Sequence, residues 1–269
     1  MLPCRLTGNS TWRTIAGFPL TRPREASILT GYEPYEPQNQ LIEIGERIWI
    51  ADGPVLPWNG MPFPTRMTVV LLDDGSVWVH SPIALAPDLA AAVERLGTVR
   101  HLVSPNKIHH VSIGAWAARF PGALVWASPR VRRRSSVAFD RDLEDRPPPD
   151  WAACIDQRIA RGSWAMEEVV FFHKPSRTLI LADLIENFER ERLNGWFART
   201  LARLGGVLAP DGKAPLDLRL SFLGRKHEMR DTVDWMLACA PERVVIAHGK
   251  WFDKDGTAEV IRAFAWAGS

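Results

Sequence analysis

The sequence predicts an α/β protein in which mixed β-structure lies between helices. The first third is rich in strands joined by tight turns, and the clearest hairpin has Asp73-Asp74-Gly75 between the apolar segments 68–72 and 77–80. Further along, apolar strands alternate with segments whose apolar residues recur at helical spacing. Hairpins combined with β–α units of this kind indicate a mixed sheet covered by helices.

The composition is that of an ordinary globular protein. A chain of 269 residues with 46% hydrophobic and 24% charged residues can bury a sizeable core. A net charge of +2 gives no general electrostatic reason to bind nucleic acid or an anionic membrane. We therefore expect a small-molecule substrate, with neither nucleic acid nor membrane as a partner. The basic run from Arg130 to Arg134 is interpreted as a solvated loop.

The cysteines and the N-terminus predict a cytoplasmic location. Cys4, Cys154 and Cys239 are far apart and form no Cys-x-x-Cys pair, which is typical of a reducing compartment. Arginines and Asn9 interrupt the N-terminal apolar residues, so no signal peptide is predicted. No apolar run reaches the roughly 18 residues that a membrane span needs.

The chain divides into an N-terminal arm, residues 1–38, and one domain, residues 39–269. The arm contains Pro, Gly, Thr and Arg without a sustained period, so we expect it to extend over the domain or to be partly disordered. Within the domain, residues 53–64 are predicted to be a Pro/Gly loop and residues 128–150 a surface excursion. Predicted strands are 41–44, 47–51, 68–72, 77–80, 99–103, 123–127, 155–159, 168–172, 178–182 and 243–247, and predicted helices are 87–96, 113–120, 188–204, 225–240 and 257–266.

Three predicted strands end on residues that commonly bind metals. Residues 99–103 lead into Ser104-Pro105-Asn106-Lys107-Ile108-His109-His110, residues 179–182 lead into Asp183, and residues 244–247 lead into His248. Two adjacent histidines after a strand are the best candidates for site chemistry. A structural interpretation competes: the histidines and Asp183 can cap helices, and His248-Gly249 can form a turn.

Several short segments resemble those of a known family. They are Trp49-Ile50-Ala51-Asp52-Gly53-Pro54, Trp78-Val79-His80-Ser81-Pro82, the 104–110 segment, Phe172-His173-Lys174-Pro175-Ser176 through Asp183, and Ala247-His248-Gly249. Their order resembles the metallo-β-lactamase fold, and more closely the DUF4336 family that is grouped with it. The resemblance covers roughly residues 40–266 and implies an αββα sandwich of metallo-β-lactamase type, with two mixed sheets packed between helices.

The resemblance also implies a changed metal centre. Active members of the superfamily carry His-x-His-x-Asp-His after the corresponding strand, then a further His, a strand-end Asp that bridges two metals, and a final His. In this chain the first two histidines fall on Pro105 and Lys107, and the further His falls near residues 163–164, where none exists. The second metal site keeps four candidate ligands, which are His109, His110, Asp183 and His248.

The function that this resemblance implies is a metal-dependent hydrolase with one divalent metal, zinc or iron, and an unknown substrate. Iron would open oxidoreductase chemistry. Lys107, His110 and Asp183 are the predicted catalytic residues, with the Lys107 ammonium taking the place of the lost metal. His80, where the superfamily commonly has an acidic residue, is predicted to orient the site.

Two alternatives stay open. The chain is either a metal-free relic that binds a small molecule or a partner through Trp58 and the basic run, or a metal-independent enzyme with Lys107 and His110 as acid and base. Other polar residues are given structural roles: His173, His101 and His227 are assigned to no site, and Glu167 and Glu168 are expected to be solvated. No Gly-x-Ser-x-Gly motif or phosphate-binding glycine loop is present.

Overall fold

Two β-sheets lie face to face, with helices against both outer surfaces, in the computed structural model, which describes residues 31–268. The first sheet has seven strands in the order β1 to β7, and the second has four in the order β11-β10-β9-β8. Both sheets contain parallel and antiparallel pairs. The predicted αββα sandwich is therefore confirmed.

The strands and helices have the following bounds. The strands are β1 Ile42–Gly45, β2 Ile48–Trp58, β3 Met61–Leu71, β4 Ser76–His80, β5 Thr98–Ser104, β6 Leu124–Ala127, β7 Arg141–Asp142, β8 Ile155–Ala160, β9 Glu168–His173, β10 Thr178–Ile180 and β11 Arg243–Val245. The helices are α1 Pro87–Leu96, α2 Ile113–Arg119, α3 Trp196–Gly205, α4 Leu216–Leu220, α5 Lys226–Ala238 and α6 Gly256–Phe264, with short 3₁₀ turns at Val131–Arg133 and Ala265–Ala267.

Alternating side chains along the strands build the three apolar layers. In β4, Trp78 faces the second sheet, where its ring meets Phe171 edge-on at 5.0 Å between centroids. Its neighbours Val77 and Val79 face the opposite way and pack with the outer helices α1 and α2. On the other side of the sandwich, Val170 and Phe172 of β9 pack with helices α5 and α6. Each sheet is thus buried on both faces.

The parallel strands of both sheets end where the site lies. Strands β4, β5 and β6 run parallel to one another, and so do β10 and β11. Parallel strands have their carboxyl ends at one edge of a sheet, and the crevice outside that edge is where open α/β sheets bind ligands. The loops after these five strands therefore supply the candidate site.

The predicted Pro/Gly loop at residues 53–64 is wrong, because this segment extends the β2–β3 hairpin. The two strands pair as far as Trp58 and Met61, across the turn Asn59-Gly60. Strand β1 pairs only with residues 48–50 of β2, so the extension is a two-stranded ribbon that tolerates its prolines. A register shift between Asp52 and Val55 marks where the ribbon leaves the sheet.

The predicted helix at residues 188–204 begins eight residues later, at Trp196. Phe188 is fully buried and forms an isolated bridge with Leu208, while Leu193 forms another with Tyr32. These tertiary contacts keep the preceding segment extended, although its sequence has helical spacing. Helix α4 and the short strand β7, which lies within the predicted surface excursion, were not predicted.

Part of the predicted arm packs on the domain. Tyr32 is fully buried and meets the Phe188 ring edge-on at 5.9 Å. Residues 1–30, and with them most of the arm, lie outside the described part of the chain. Within residues 31–268, no helix has the length and apolar character that crossing a bilayer requires.

Candidate metal centre

Three side chains from different loops converge at the carboxyl edge. His109 follows β5, Asp183 follows β10 and His248 follows β11. The Nε2 atoms of His109 and His248 lie 3.2 Å and 3.1 Å from the same oxygen, Asp183 Oδ1. Sequence reasoning proposed Asp183 and His248 because each closes a predicted strand, and His109 because it lies in the loop after one. The structure brings the three together.

The His248 ring is fixed by the β2–β3 ribbon. Its Nδ1 donates a hydrogen bond to the carbonyl of Pro64 at 2.7 Å, and the Phe63 ring packs edge-on against it at 4.9 Å. A carbonyl can only accept, so Nδ1 carries a proton, and Nε2 is the ring nitrogen that faces Asp183. The following residue, Gly249, has φ +90°, and a Cβ there would come within 2.2 Å of the Asn187 carbonyl oxygen. Only glycine fits this turn.

A buried ion pair supports the same turn. The Arg66 guanidinium lies 2.7 Å from Asp52 and donates to the carbonyls of Ile246 and Gly249, at 3.0 Å and 2.7 Å. Burial raises the pKa of Asp52 in spite of the adjacent Arg66 charge. Arg66 therefore joins strand β3 to the two peptide groups that flank His248.

Ser81, and not the predicted His80, orients the His109 ring. The Ser81 hydroxyl lies 2.6 Å from His109 Nδ1, and the serine has the left-handed φ of +52°. His80 points between the sheets, where it stacks on Trp78 at 5.6 Å. Burial lowers the pKa of His80 to about 3, so it is neutral. The reason is the strand period: adjacent residues at a strand end point in opposite directions.

Asn106 and Glu168 hold the Asp183 carboxylate from the other side. The Asn106 amide donates to Asp183 Oδ2 at 2.8 Å and to Glu168 at 3.0 Å, while its own oxygen accepts the N–H groups of Ile108 and His109. Glu168 also accepts the N–H groups of Ala182 and Asp183, at 2.8 Å and 2.7 Å. The expectation that Glu168 is solvated is wrong, because it is fully buried.

The carboxyl groups of the site have pKa values that diverge. Burial acts to raise the pKa of Asp183, but the charges and hydrogen bonds of His109 and His248 outweigh it and hold this pKa well below its usual range. Burial, and next the negative Asp183, raise the pKa of Glu168 to about 7. Burial also raises the pKa of Glu186 well above its ordinary value. The Asp183 carboxyl group is therefore ionised at neutral pH.

Two predicted site residues lie apart from this cluster. Among residues 31–268, the single group of three metal-binding side chains contains His109, Asp183 and His248, without His110. The turn in which the His110 N–H donates to the Ile108 carbonyl at 2.8 Å leaves its ring half-buried outside the group. The second oxygen of Asp183, Oδ2, accepts the Asn106 amide. The Lys107 ammonium forms no ion pair within the described chain.

The donor set fits one divalent cation. All three ligand atoms lie within 4.8 Å of one another. In a tetrahedral zinc site with bonds of about 2.0–2.1 Å, ligand atoms are about 3.3 Å apart, which is close to the 3.1 Å and 3.2 Å between the imidazoles and Asp183 Oδ1. In both rings a hydrogen bond at Nδ1 fixes the orientation, as is usual for metal-bound histidines.

His173 provides a stability prediction that is independent of the site. Its Nδ1 lies 2.7 Å from Ser176 Oγ, which itself donates to Thr178, while its buried Nε2 has no partner among the described residues. Burial lowers the pKa of His173 to about 4, below its usual 6.5. The folded state then binds fewer protons than the unfolded state, so stability is complete above pH 6.5 and is lost as the pH falls toward 4.

We expect the free energy of unfolding to fall by about 2 kcal/mol more in the wild type than in His173→Leu between pH 8 and pH 5. Urea unfolding at the two pH values measures this difference. The exposed His227, replaced in His227→Gln, is the matched control and should keep the wild-type dependence. Identical dependence in wild type and His173→Leu would contradict the assignment.

Comparison with known families identifies the chain. Residues 48–194 match the family described as a domain of unknown function, DUF4336. The chain belongs to the DUF4336 family. This match spans β2 to the segment before α3 and includes His109 and Asp183, while His248 follows it. No curated protein matches this DUF4336 chain.

Solved structures similar to this DUF4336 protein are metallo-β-lactamases. The enzyme from Pontibacter korlensis has a TM-score of 0.58 at 13% identity, with 85% of this chain and 98% of that chain covered. The enzyme from Hirschia baltica has 0.58 at 12%, covering 85% and 97%. FIM-1 from Pseudomonas aeruginosa, in its mono-zinc form, has 0.53 at 12%, covering 85% and 94%. These similarities show that the fold is that of the metallo-β-lactamases.

Proposed function

We propose that this DUF4336 protein is a metal-dependent hydrolase that uses one divalent ion held by His109, Asp183 and His248. The observation that carries the proposal is the convergence of both Nε2 atoms on Asp183 Oδ1, at 3.2 Å and 3.1 Å. The metallo-β-lactamase fold of its structural neighbours supports the same chemistry.

A single ion is favoured over two. The second carboxylate oxygen of Asp183 accepts the Asn106 amide, and Asn106 is itself fixed by four hydrogen bonds. An amide N–H group repels a cation, so the Oδ2 side of Asp183 is closed to a second ion. Within the described chain no further group of three metal-binding side chains is present.

The residues of the site ionise one ligand and orient the other two. The low pKa of Asp183 keeps its carboxylate ionised, while Pro64 and Ser81 fix the two rings. Three protein ligands leave one position for water or substrate, as in catalytic zinc sites. When bound, a divalent ion would supply Lewis acidity and would lower the pKa of a water to about 7.

A second candidate is iron-dependent redox chemistry. One observation favours it: two histidines and one carboxylate are also the donor set of non-haem iron oxygenases. The metal-independent alternative has less support, since the Lys107 and His110 side chains form no hydrogen bond or ion pair with another residue of the described chain. We also propose a small-molecule substrate and a cytoplasmic location, which the free thiols of Cys154 and Cys239 support.

The proposal is tested by metal-dependent turnover. Protein stripped with a chelator and then loaded with Zn²⁺ or Fe²⁺ is assayed against carboxyl ester, thioester and phosphodiester substrates. We expect turnover of one class that requires the metal and falls by about 10³-fold or more in Asp183→Asn, because that variant loses the charge of the carboxylate ligand.

His227→Ala, on the exposed face of α5, is the matched control and should keep full activity. Turnover that survives in chelator, or that is equal in wild type and Asp183→Asn, would contradict the proposal. Oxygen consumption with Fe²⁺ and no hydrolysis would favour the redox candidate.

A further inference from the structure

A basic loop lies at the same sheet edge as the metal ligands. It follows β6, which runs parallel to β5 and β4, the strands that lead into His109 and Ser81. The loop contains Arg130, Arg132, Arg133 and Arg134. Sequence reasoning interpreted this run as a solvated loop, but the order of the parallel strands places it beside the candidate centre.

The loop is held in place by its backbone. Val131 is fully buried in the core under α1 and α2, and its N–H donates to the Ser128 carbonyl at 3.3 Å. Arg130 has the left-handed φ of +68° and donates to the Trp164 carbonyl at 2.9 Å. Arg132 is paired with Asp142 at 2.9 Å. Arg130 and Arg134 are thus presented from an anchored turn.

Lys107 adds a third cation. An isolated bridge pairs Asn106 with Glu168 in antiparallel register, which places Lys107 alongside Glu167. Glu167 is also the carboxylate that Arg130 approaches, at 3.7 Å. Lys107 is therefore close to Arg130 and only two residues from His109 in the chain.

These cations outnumber their carboxylate partners. Neither Lys107 nor Arg134 forms an ion pair with a residue between 31 and 268, so Glu167 is the acidic partner of Arg130 alone. The positive charges of Arg134 and Arg130 both act on Lys107. Like charges that are anchored together with one weak counter-ion form a favourable environment for an anion.

We propose that Lys107, Arg130 and Arg134 bind an oxyanion group, phosphate or carboxylate, of the substrate. This inference rests on the proposed function, because it concerns the substrate group next to the bond that reacts at the His109–Asp183–His248 centre. Guanidinium groups recognise phosphate and carboxylate through paired charge-assisted hydrogen bonds, and the lysine ammonium adds a point charge.

Binding of inorganic phosphate and of acetate to the chelator-stripped protein tests this inference, because no metal can then hold the anion. We expect saturable binding by calorimetry, weakened by added NaCl. Lys107→Gln and Arg134→Gln should each raise the Kd by about 10-fold, since each removes one charge-assisted contact. Phosphate bound more tightly than acetate would indicate a phosphoryl substrate, and the reverse order a carboxylate substrate.

Arg100→Gln is the matched control. Arg100 is an exposed arginine near the amino end of β5, at the opposite edge of the sheet, so its loss should leave the Kd unchanged. Absence of saturable binding of either anion, or equal Kd values in all variants, would overturn the inference. Zinc titration of the same variants separates the two proposals: Lys107→Gln should still bind zinc, whereas failure of wild type to bind zinc refutes the centre itself.

Discussion

Arg66→Met is expected to lower the free energy of unfolding by about 3–5 kcal/mol, the usual cost of removing one partner of a buried ion pair. The Arg66 and Asp52 side chains are only 2% and 8% exposed, so water cannot replace the lost guanidinium. The substitution also removes the donor to the carbonyls of Ile246 and Gly249. Urea or guanidinium unfolding, followed by fluorescence, measures the loss.

The double variant Arg66→Met with Asp52→Leu provides the control. Because both charges are then absent, it should recover a large part of the stability that the single variant loses. The carbonyls of Ile246 and Gly249, which Arg66 holds, lie on either side of His248 in the chain. The folded fraction of Arg66→Met should therefore also bind zinc more weakly. A loss below about 1 kcal/mol in the single variant would contradict the role that we assign to Arg66.

Glu168→Gln is expected to lower the free energy of unfolding by about 2–4 kcal/mol and zinc affinity by about 10–100-fold. Glu168 Oε2 accepts two donors, the Asp183 N–H and the Asn106 amide. A glutamine can keep an oxygen on one side only, so its NH₂ group must face at least one buried donor. The peptide group that carries Asp183 then loses its anchor.

The adjacent residue supplies the matched control for this prediction. Glu167 is partly exposed and contacts Arg130 at 3.7 Å, so Glu167→Gln should change the free energy of unfolding by no more than about 0.5 kcal/mol. Denaturant unfolding and zinc titration are done on both variants. If Glu168→Gln matches the wild type in both measurements, Glu168 does not position Asp183.

The sequence predicts the fold well where local and tertiary preferences agree. The Asp73-Asp74-Gly75 hairpin and helix α1 follow turn chemistry and helical spacing, and the structure has both. Prolines misled the prediction at residues 53–64, because a ribbon that projects beyond the sheet has unpaired outer edges. Residues 188–195 follow helical spacing but are extended, because Phe188 and Leu193 pair with distant segments.

The candidate site could be predicted only where a ligand closes a strand. Asp183 and His248 were found in that way, and His109 from its position after β5. His110 was included because the resemblance places the third histidine of the superfamily motif there, and only the geometry of the turn sets its ring apart. Asn106 and Glu168 were missed as carboxylate partners, because their role depends on a bridge between segments that are 62 residues apart.

The central claim is that His109, Asp183 and His248 hold one divalent ion, and titration of chelator-stripped protein with zinc tests it most directly. We predict one zinc per chain, with affinity lowered by about 100-fold or more in Asp183→Asn and His248→Ala and retained in His110→Ala. Two zinc ions per chain, no zinc, or wild-type affinity in Asp183→Asn would contradict the claim.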